Sequence, residues 1–213
     1  SDVCSSDLSL LLRLNDPTSG MILIDQKDLK TLNLQSYRSQ VGFVPQEVFL
    51  FSDTISENIA FGLVSTDTSA DTKSKIVSAA KQAGVYDNIM EFPDGFETIV
   101  GERGITLSGG QKQRISIARA LVRQPSVLVF DDCLSAVDTL TEETILNELR
   151  NVMTGKTTIL ISHRISTIQS ADEIIVLDEG KVVQRGSHEN LIKSPGLYLE
   201  MFEKQQVESA VGE

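Results

Sequence analysis

A serine followed by two glycines stands at the start of a predicted helix and could bind an anion. Residues 107–111 read Leu-Ser-Gly-Gly-Gln, and apolar residues recur at helical spacing after them. Glycines let backbone amides approach an anion, a serine hydroxyl can donate to it, and a helix N-terminus carries partial positive charge. By itself, such a stretch is more often a turn that leads into a capped helix. The candidate anion-binding residues are Ser108, Gly109, Gly110 and Gln111.

Two adjacent carboxylates follow a short apolar run, and one of them could hold a hydrated divalent cation. Asp131 and Asp132 come directly after residues 127–130, Val-Leu-Val-Phe, which predict a buried strand. Ligands of α/β proteins bind at the carboxyl ends of such strands, and Mg²⁺ prefers oxygen ligands. The alternative is that the two aspartates only begin a loop or cap the next helix.

A histidine follows a second apolar run. His163 comes shortly after residues 158–161, Thr-Ile-Leu-Ile, and a helical pattern over residues 140–152 separates the two runs. Continuous apolar runs are typical of parallel strands buried on both faces, and a right-handed crossover joins them. A lone histidine is usually structural, but this βαβ unit would bring His163 beside Asp131.

The rest of the chain predicts the elements that must hold these residues. Periodicity and turn residues indicate a helix end at 9–14, short strands at 21–24 and 42–44, mainly helices from about 53 to 125 with a polar loop at 65–69, and a hairpin at the sheet edge formed by 174–177 and 182–183. We therefore expect an α/β fold. Its mostly parallel sheet would be flanked by helices, with an inserted helical subdomain and an antiparallel β edge.

Both ends are interpreted as lying outside the fold. Residues 1–8 match neither a helix pattern nor a targeting signal and run abruptly into an apolar stretch, so we expect them to be a foreign leader. The polar residues 205–213 are expected to form a flexible tail. The domain proper would then extend over residues 9–204.

The composition is that of a folded domain that does not bind nucleic acid. With 213 residues, of which 40% are hydrophobic, the chain is long enough to bury a core. A net charge of −11 repels phosphate backbones. A helical cluster of cations is as readily a solvated face as a docking surface, and consists of Lys112, Arg114, Arg119 and Arg123. Two cysteines without a secretory signal indicate a reducing, cytoplasmic setting.

Taken together, these residues resemble the nucleotide-binding domain of the ATP-binding cassette family. Residues 107–111 resemble its signature motif, 127–131 its Walker B strand and 135–138 its D-loop. Gln46 is similar to its Q-loop glutamine, and His163 to its switch histidine. All five motifs stand in the order and spacing of the family.

Two further stretches resemble the exporters of that family. Residues 100–104, Val-Gly-Glu-Arg-Gly, are similar to the X-loop, which in exporters lies against the coupling helices of the transmembrane domain. Residues 180–191 are similar to the exporter C-terminal stretch. The resemblance covers residues 9 to about 202 and implies a P-loop NTPase-like fold that couples ATP binding and hydrolysis to export. The domain would lie at the cytoplasmic face of the cell membrane.

The resemblance also implies roles for single residues. Asp131 and Gln46 would contact Mg²⁺, while Asp132, His163 and Gln46 would serve hydrolysis of the ATP on this chain. In the family two such domains pack head to tail, so the signature motif would contact ATP held by a second nucleotide-binding domain. The residues expected to bind that nucleotide are Ser108, Gly109, Gly110, Gln111 and Asp138.

The sequence departs from the family at two points. A P-loop of the form G-x-x-x-x-G-K-[ST] occurs nowhere in it, and family spacing would place its lysine near Cys4, so we expect the sequence to lack the true start of the domain. The second departure is Asp132, which stands where most members have glutamate. Its carboxylate is withdrawn by roughly 1.5 Å, and ~1 Å of misplacement can cost ~100-fold in rate. Such an aspartate resembles the degenerate half of heterodimeric exporters.

Other classes are alternatives to a hydrolysing exporter domain. A regulatory half of a heterodimeric exporter would bind ATP without hydrolysing it. Cassette ATPases of DNA repair and translation carry a long coiled coil or basic linkers, and the short acidic interval between Gln46 and the signature motif argues against both. Importers usually lack the pattern at 100–104. The transported molecule is open, because its contacts lie in the membrane domain.

We predict that the 213-residue chain by itself does not bind ATP measurably. The lysine and backbone amides of a P-loop supply most of the grip on the β and γ phosphates. Isothermal titration calorimetry with ATP and Mg²⁺ measures this directly, and tight binding would contradict the prediction.

Overall fold

A computed structural model describes residues 8–63, 69–101, 105–134, 137 and 139–211. The strands are β1 (Leu23–Ile24), β2 (Lys27–Asp28), β3 (Val41–Val44), β4 (Val127–Asp131), β5 (Thr157–Ile161), β6 (Ile174–Asp178) and β7 (Lys181–Gly186). The helices are α1 (8–11), α2 (Leu34–Ser39), α3 (Ile55–Ala60), α4 (Ser69–Gln82), α5 (Tyr86–Met90), α6 (Gly109–Leu121), α7 (Thr139–Met153), α8 (Ile165–Ile168), α9 (His188–Leu191) and α10 (Leu197–Val211). Most of the expected leader, most of the polar loop at 65–69, and positions 102–104, 135, 136 and 138 lie outside the described residues.

Three parallel strands form the centre of the fold in the order β3-β4-β5. Val44 pairs with Phe130, and Asp131 pairs with Ile161. The central strand is covered on both faces, and Leu128 in its middle is fully buried. The predicted βαβ unit is confirmed, with α7 as the crossover helix between β4 and β5.

Helix α6 packs against the sheet and against α3 and α4. The apolar residues that recur at helical spacing after the two glycines are buried, and they are Ile115, Ala118, Leu121 and Val122. Ile117 on another face of the helix is buried as well, because α6 has neighbours on several sides. Gly42 on β3 permits the close approach, since a Cβ there would lie 2.8 Å from the carbonyl oxygen of Ala120. The sheet thereby fixes the position of the helix that begins with the signature motif.

Two of the four cations on and after α6 have structural roles that the sequence does not predict. Arg119 donates to the backbone carbonyls of Asn58 at 2.8 Å and Phe49 at 2.9 Å, and Arg114 donates to the carbonyl of Gly84 at 2.9 Å. Burial lowers the pKa of Arg119, although a guanidinium stays charged at neutral pH. These two arginines therefore tie α6 to the segments around it.

The C-terminal part forms a second, smaller core. Its buried residues are Ile165, Ile174, Val176, Leu191 and Tyr198. The predicted hairpin is present as β6 and β7, but among the described residues it forms a separate two-stranded sheet rather than an edge of the parallel sheet. Helix α10 continues to Val211, well past the boundary expected at residue 205. No helix in the described part of the chain has the length and apolar character needed to cross a membrane.

The fully buried Asn58 allows a test of how the middle region is held together. Its amide donates to the carbonyls of Phe51 and Thr54, and its oxygen accepts from the N–H of Phe51 and from Arg119. We predict that Asn58→Leu lowers the free energy of unfolding by about 2–4 kcal/mol, because these partners lose their hydrogen bonds in a buried place. Urea unfolding followed by circular dichroism measures the loss.

The matched control for this prediction is Asn151→Leu, at an exposed position on α7. A surface substitution of this kind should change stability by less than about 0.5 kcal/mol. Equal effects of the two substitutions would contradict the prediction.

Candidate functional site

The carboxyl ends of the three parallel strands meet at one edge of the sheet. Asp131 is the last residue of β4, and Asp132 follows it. Gln46 lies two residues beyond β3, and His163 lies two residues beyond β5. The N–H of Asp132 donates to the carbonyl of Ile161 at 2.8 Å, so the pairing of β4 with β5 extends into the candidate site. The fold therefore places four of the predicted site residues at the same edge.

Gln46 and Asp132 are in direct contact. Nε2 of Gln46 donates to Oδ2 of Asp132 at 3.1 Å, although 86 residues separate them in the sequence. Asp132 is 7% exposed and has a φ of +40°, which a non-glycine residue adopts rarely. Backbone strain of this kind clusters at functional sites. The turn after β4 thus holds the Asp132 carboxylate against Gln46.

Asp131 has a pKa above the ordinary value of an aspartate. Burial raises this pKa, and so does the charge of the neighbouring Asp132. A divalent cation bound at Asp131 would offset the cost of keeping its carboxylate ionised. The electrostatics of this edge therefore suit a bound cation.

The described residues at this edge could hold Mg²⁺ only together with further ligands such as water molecules and substrate phosphates. Within the described residues, no group of three or more His, Cys, Asp or Glu side chains could hold a metal ion. Mg²⁺ commonly uses one or two carboxylates, water molecules and substrate phosphates. Asp131 offers a carboxylate, and Gln46 offers its amide oxygen, because the amide nitrogen already donates to Asp132. This donor set suits Mg²⁺ that arrives with a phosphate ligand.

An ion pair between the half-buried Arg164 and the buried Glu142 holds the loop that carries His163. The ring of His163 is exposed, whereas Arg164 reaches inward and donates to the carboxylate of Glu142 and to the carbonyl of Val137. Glu142 is 2% exposed and also accepts from the hydroxyl of Thr167. This carboxylate is desolvated but paired, and it lies in the first turn of α7, where the helix dipole favours a negative charge.

The ion pair is a feature that sequence analysis misses, although a signal for it exists. Glu142 shares the buried face of α7 with Ile145 and Leu149, three and seven residues further along. An acidic residue within an apolar helical stripe indicates a buried charge that needs a partner. The sequence does not identify Arg164 as that partner, because strand β5 lies between them in the chain.

The signature motif forms a second candidate site at the N-terminus of α6. The Ser108 hydroxyl accepts from the N–H of Gln111 at 3.2 Å, and the Gln111 side chain accepts from the N–H of Ser108 at 2.9 Å. This capping box stabilises the first turn and engages the side chain of Gln111. A cavity of about 400 Å³ opens along residues 108–111 and extends to Val137 and Thr141.

The two candidate sites are separate. Of the four residues gathered at the sheet edge, none lines the cavity at 108–111. A ligand in that cavity would therefore contact a different surface from a ligand at the sheet edge. Asp138, which was predicted to share in nucleotide binding, lies outside the described residues, while the neighbouring Val137 lines the cavity.

Comparison with known proteins agrees on one family. The family profile described as ABC transporter matches residues 4–135. The chain is 48% identical over 203 residues to the ABC transporter ATM1 of Toxoplasma gondii, with 95% of this chain and 18% of that protein covered. It is 47% identical over 201 residues to an ATM1-type heavy metal exporter of Novosphingobium aromaticivorans, with 94% and 32% covered.

A solved structure agrees with the sequence comparisons. A bacterial Atm1-family ABC exporter with ATP bound matches with a TM-score of 0.86 and 46% identity, over 95% of this chain and 35% of that chain. The chain thus spans between 18% and 35% of the length of these three proteins. It belongs to the ABC transporter family and has the sequence and fold of the nucleotide-binding domain of Atm1-type exporters.

Proposed function

We propose that this chain is the ATP-hydrolysing motor domain of a membrane exporter and works as one half of a pair of nucleotide-binding domains. The observation that carries the proposal is the hydrogen bond of 3.1 Å between Gln46 and Asp132, at the edge where Asp131 and His163 also lie. It joins the loop after β3 to the turn after β4. A nucleotide bound at this edge would therefore contact both the loop after β3 and the turn after β4.

The proposed chemistry is transfer of the γ-phosphoryl group to water. Asp132 accepts a hydrogen bond from the attacking water and orients it, with general-base character limited by its short side chain. Asp131 and the Gln46 oxygen would hold Mg²⁺, which neutralises charge on the phosphates when it is bound. His163 donates to a γ-phosphate oxygen, where negative charge accumulates during the transfer.

The separation of the two candidate sites supports head-to-tail pairing. In a head-to-tail pair, the catalytic edge of one chain would face the signature cavity of the other, and the two surfaces together would enclose the nucleotide. In the proposed pair, Ser108, Gly109 and Gly110 contact the γ-phosphate bound by the partner, through a hydroxyl, backbone amides and the positive end of α6. Gln111 holds that loop in shape through the capping box.

Asp132 supports an unequal pair. The shorter carboxylate makes this half a slow catalyst, and a partner with the usual glutamate would carry most of the turnover. The same residue favours a second candidate function, in which this half binds ATP and regulates the transporter without hydrolysing it. Hydrolysis at this site in a single turnover separates the two, because a pure sensor would show none.

An exposed aromatic patch supports docking onto a transmembrane domain at the cytoplasmic face of the membrane. Phe49 and Phe61 are each 66% exposed, and the ring of Phe51 lies between them at centroid distances of 5.1 and 4.7 Å. Arg119 supports the patch from below through cation–π contacts with Phe51 and Phe61. Contiguous exposed apolar surface of this kind is typical of an interface with another domain.

We predict that Asp132→Glu in the complete transporter raises phosphate release at this site by about tenfold or more, because the added methylene returns the carboxylate to the attacking water. Asp132→Asn should lower it, since an amide cannot act as a base. Asp172→Glu, at an exposed position, is the matched control and should change nothing.

The unequal pair is tested in the same assay by replacing the partner's glutamate. That change should remove most of the steady-state turnover. Turnover that survives it unchanged would contradict the division of labour between the two halves.

We further predict that Phe61→Ser reduces substrate-stimulated hydrolysis by about tenfold while basal hydrolysis stays near its original rate, because loss of an exposed aromatic contact weakens the interface rather than the catalytic edge. The measurement compares both rates in reconstituted membranes. Val207→Ser removes an equally exposed apolar side chain from α10 and serves as control. Equal loss of basal and stimulated rates would contradict the assignment of the patch.

A further inference from the structure

A glutamine on the C-terminal helix holds the backbone of the loop that carries His163. Nε2 of Gln205 donates to the carbonyl of His163 at 2.7 Å, and Oε1 of the same side chain accepts from the N–H of Ile165 at 2.9 Å. Gln205 lies 42 and 40 residues away from these partners in the sequence. One side-chain amide thus bridges two backbone groups on either side of Arg164.

The loop needs these hydrogen bonds because it leads into a short helix without a cap of its own. Helix α8 has four residues, and its N-cap residue Arg164 makes no side-chain cap hydrogen bond. The first N–H groups of a helix have no partner within the helix and must find acceptors elsewhere. The N–H of Arg164 finds the hydroxyl of Ser162 at 3.0 Å, and that of Ile165 finds Gln205.

Helix α10 is fixed firmly enough to serve as the support. Tyr198 near its start is 2% exposed, its N–H donates to Gln184, and its hydroxyl lies 2.8 Å from Nδ1 of His188. Gln205 follows Tyr198 by seven residues, which places both on the same face of the helix. That face points toward the core containing Ile165. The bridging amide is therefore anchored by the packing of the C-terminal core.

The position of the His163 ring depends on this backbone. The ring is exposed, so packing around the side chain does little to fix it. On the other side of the loop, Arg164 is held by Glu142 and by the carbonyl of Val137. The arginine side chain anchors the loop to α7, while Gln205 fixes the peptide group that carries the histidine.

We propose that Gln205 is a positioning residue for His163: its amide sets the backbone of residues 163–165 and thereby the place of the histidine ring at the catalytic edge. The proposal rests on the hydrolytic function proposed above. It assigns to the C-terminal helix a part in hydrolysis rather than only in stability.

The test replaces Gln205 with methionine in the complete transporter. Gln205→Met keeps a side chain of similar length and removes both hydrogen bonds. We expect the rate of single-turnover ATP hydrolysis at this chain's own site to fall on the order of tenfold, because a small displacement of a catalytic group has a large effect on rate. The affinity of that site for ATP and the stoichiometry of nucleotide binding should stay unchanged. Gln206→Met, at the exposed neighbouring position, is the matched control and should retain full activity.

A double substitution separates positioning from a purely structural role. If Gln205 acts through His163, then Gln205→Met should add no further loss to a His163→Ala variant. Hydrogen exchange at the Ile165 amide should also rise in the Gln205→Met protein. Losses that multiply, or a fall in binding stoichiometry that accounts for the lost activity, would overturn the proposal.

Different results would refute the role of Gln205 and the proposed hydrolytic function. If His163→Ala strongly lowers single-turnover hydrolysis at this site while Gln205→Met and Gln206→Met behave alike, the role of Gln205 is refuted and the proposed function stands. If His163→Ala leaves hydrolysis at this site intact, the proposed function fails, and the role of Gln205 fails with it.

Discussion

The parallel pairing of β4 with its two neighbours is the constraint on which the candidate site depends. Parallel strands end at the same edge, so the residues that follow them are brought together whatever their separation in the chain. The hydrogen bond of 2.8 Å from Asp132 to the carbonyl of Ile161 extends this pairing past the last strand residue. A slip of one residue in this register would turn the side chain of Asp131 to the other face of the sheet, and the site residues would no longer lie together.

The conformation of Asp131 and Asp132 at the carboxyl edge of the sheet is unfavourable by itself and is maintained by the packing around it. Asp132 has a left-handed backbone, and the charge of Asp132 together with burial raises the pKa of Asp131. The buried sheet and the α6 helix packed on it hold the turn in place, so that neither the backbone of Asp132 nor the position of the Asp131 carboxylate can relax. A cation bound at this edge would reduce the repulsion between the two adjacent carboxylates.

The Arg164 side chain joins the loop that carries His163 both to Val137 and to the buried carboxylate of Glu142. Glu142 follows the segment of Val137, and Arg164 follows His163, so their ion pair joins the neighbourhood of the signature cavity to that of the histidine. A buried pair contributes little net stability when it forms, but removal of one partner leaves an uncompensated charge and is strongly destabilising. Its physical effect here is geometric: the two segments are held in one fixed relation to each other.

Strand positions, the helical nature of the middle region and the family membership follow from local sequence, because continuous apolar runs, helical periodicity and motif spacing are local signals. Asp131, Asp132 and His163 could be placed at a common edge on the same basis, once a βαβ unit was predicted.

Tertiary structure alone decided three features: the contact between Gln46 and Asp132, the partner of Glu142, and the bridging role of Gln205. Each joins residues 22 to 86 positions apart through directional hydrogen bonds, and neither propensity nor periodicity carries information about such pairs. Gln205 is the clearest example of a role that local sequence does not predict. A polar stretch near the C-terminus predicts a flexible tail, whereas in the structure residues up to Val211 continue the helix that begins at Leu197. The buried Tyr198 anchors this helix, and the side-chain amide of Gln205, seven residues later, lies on the same face.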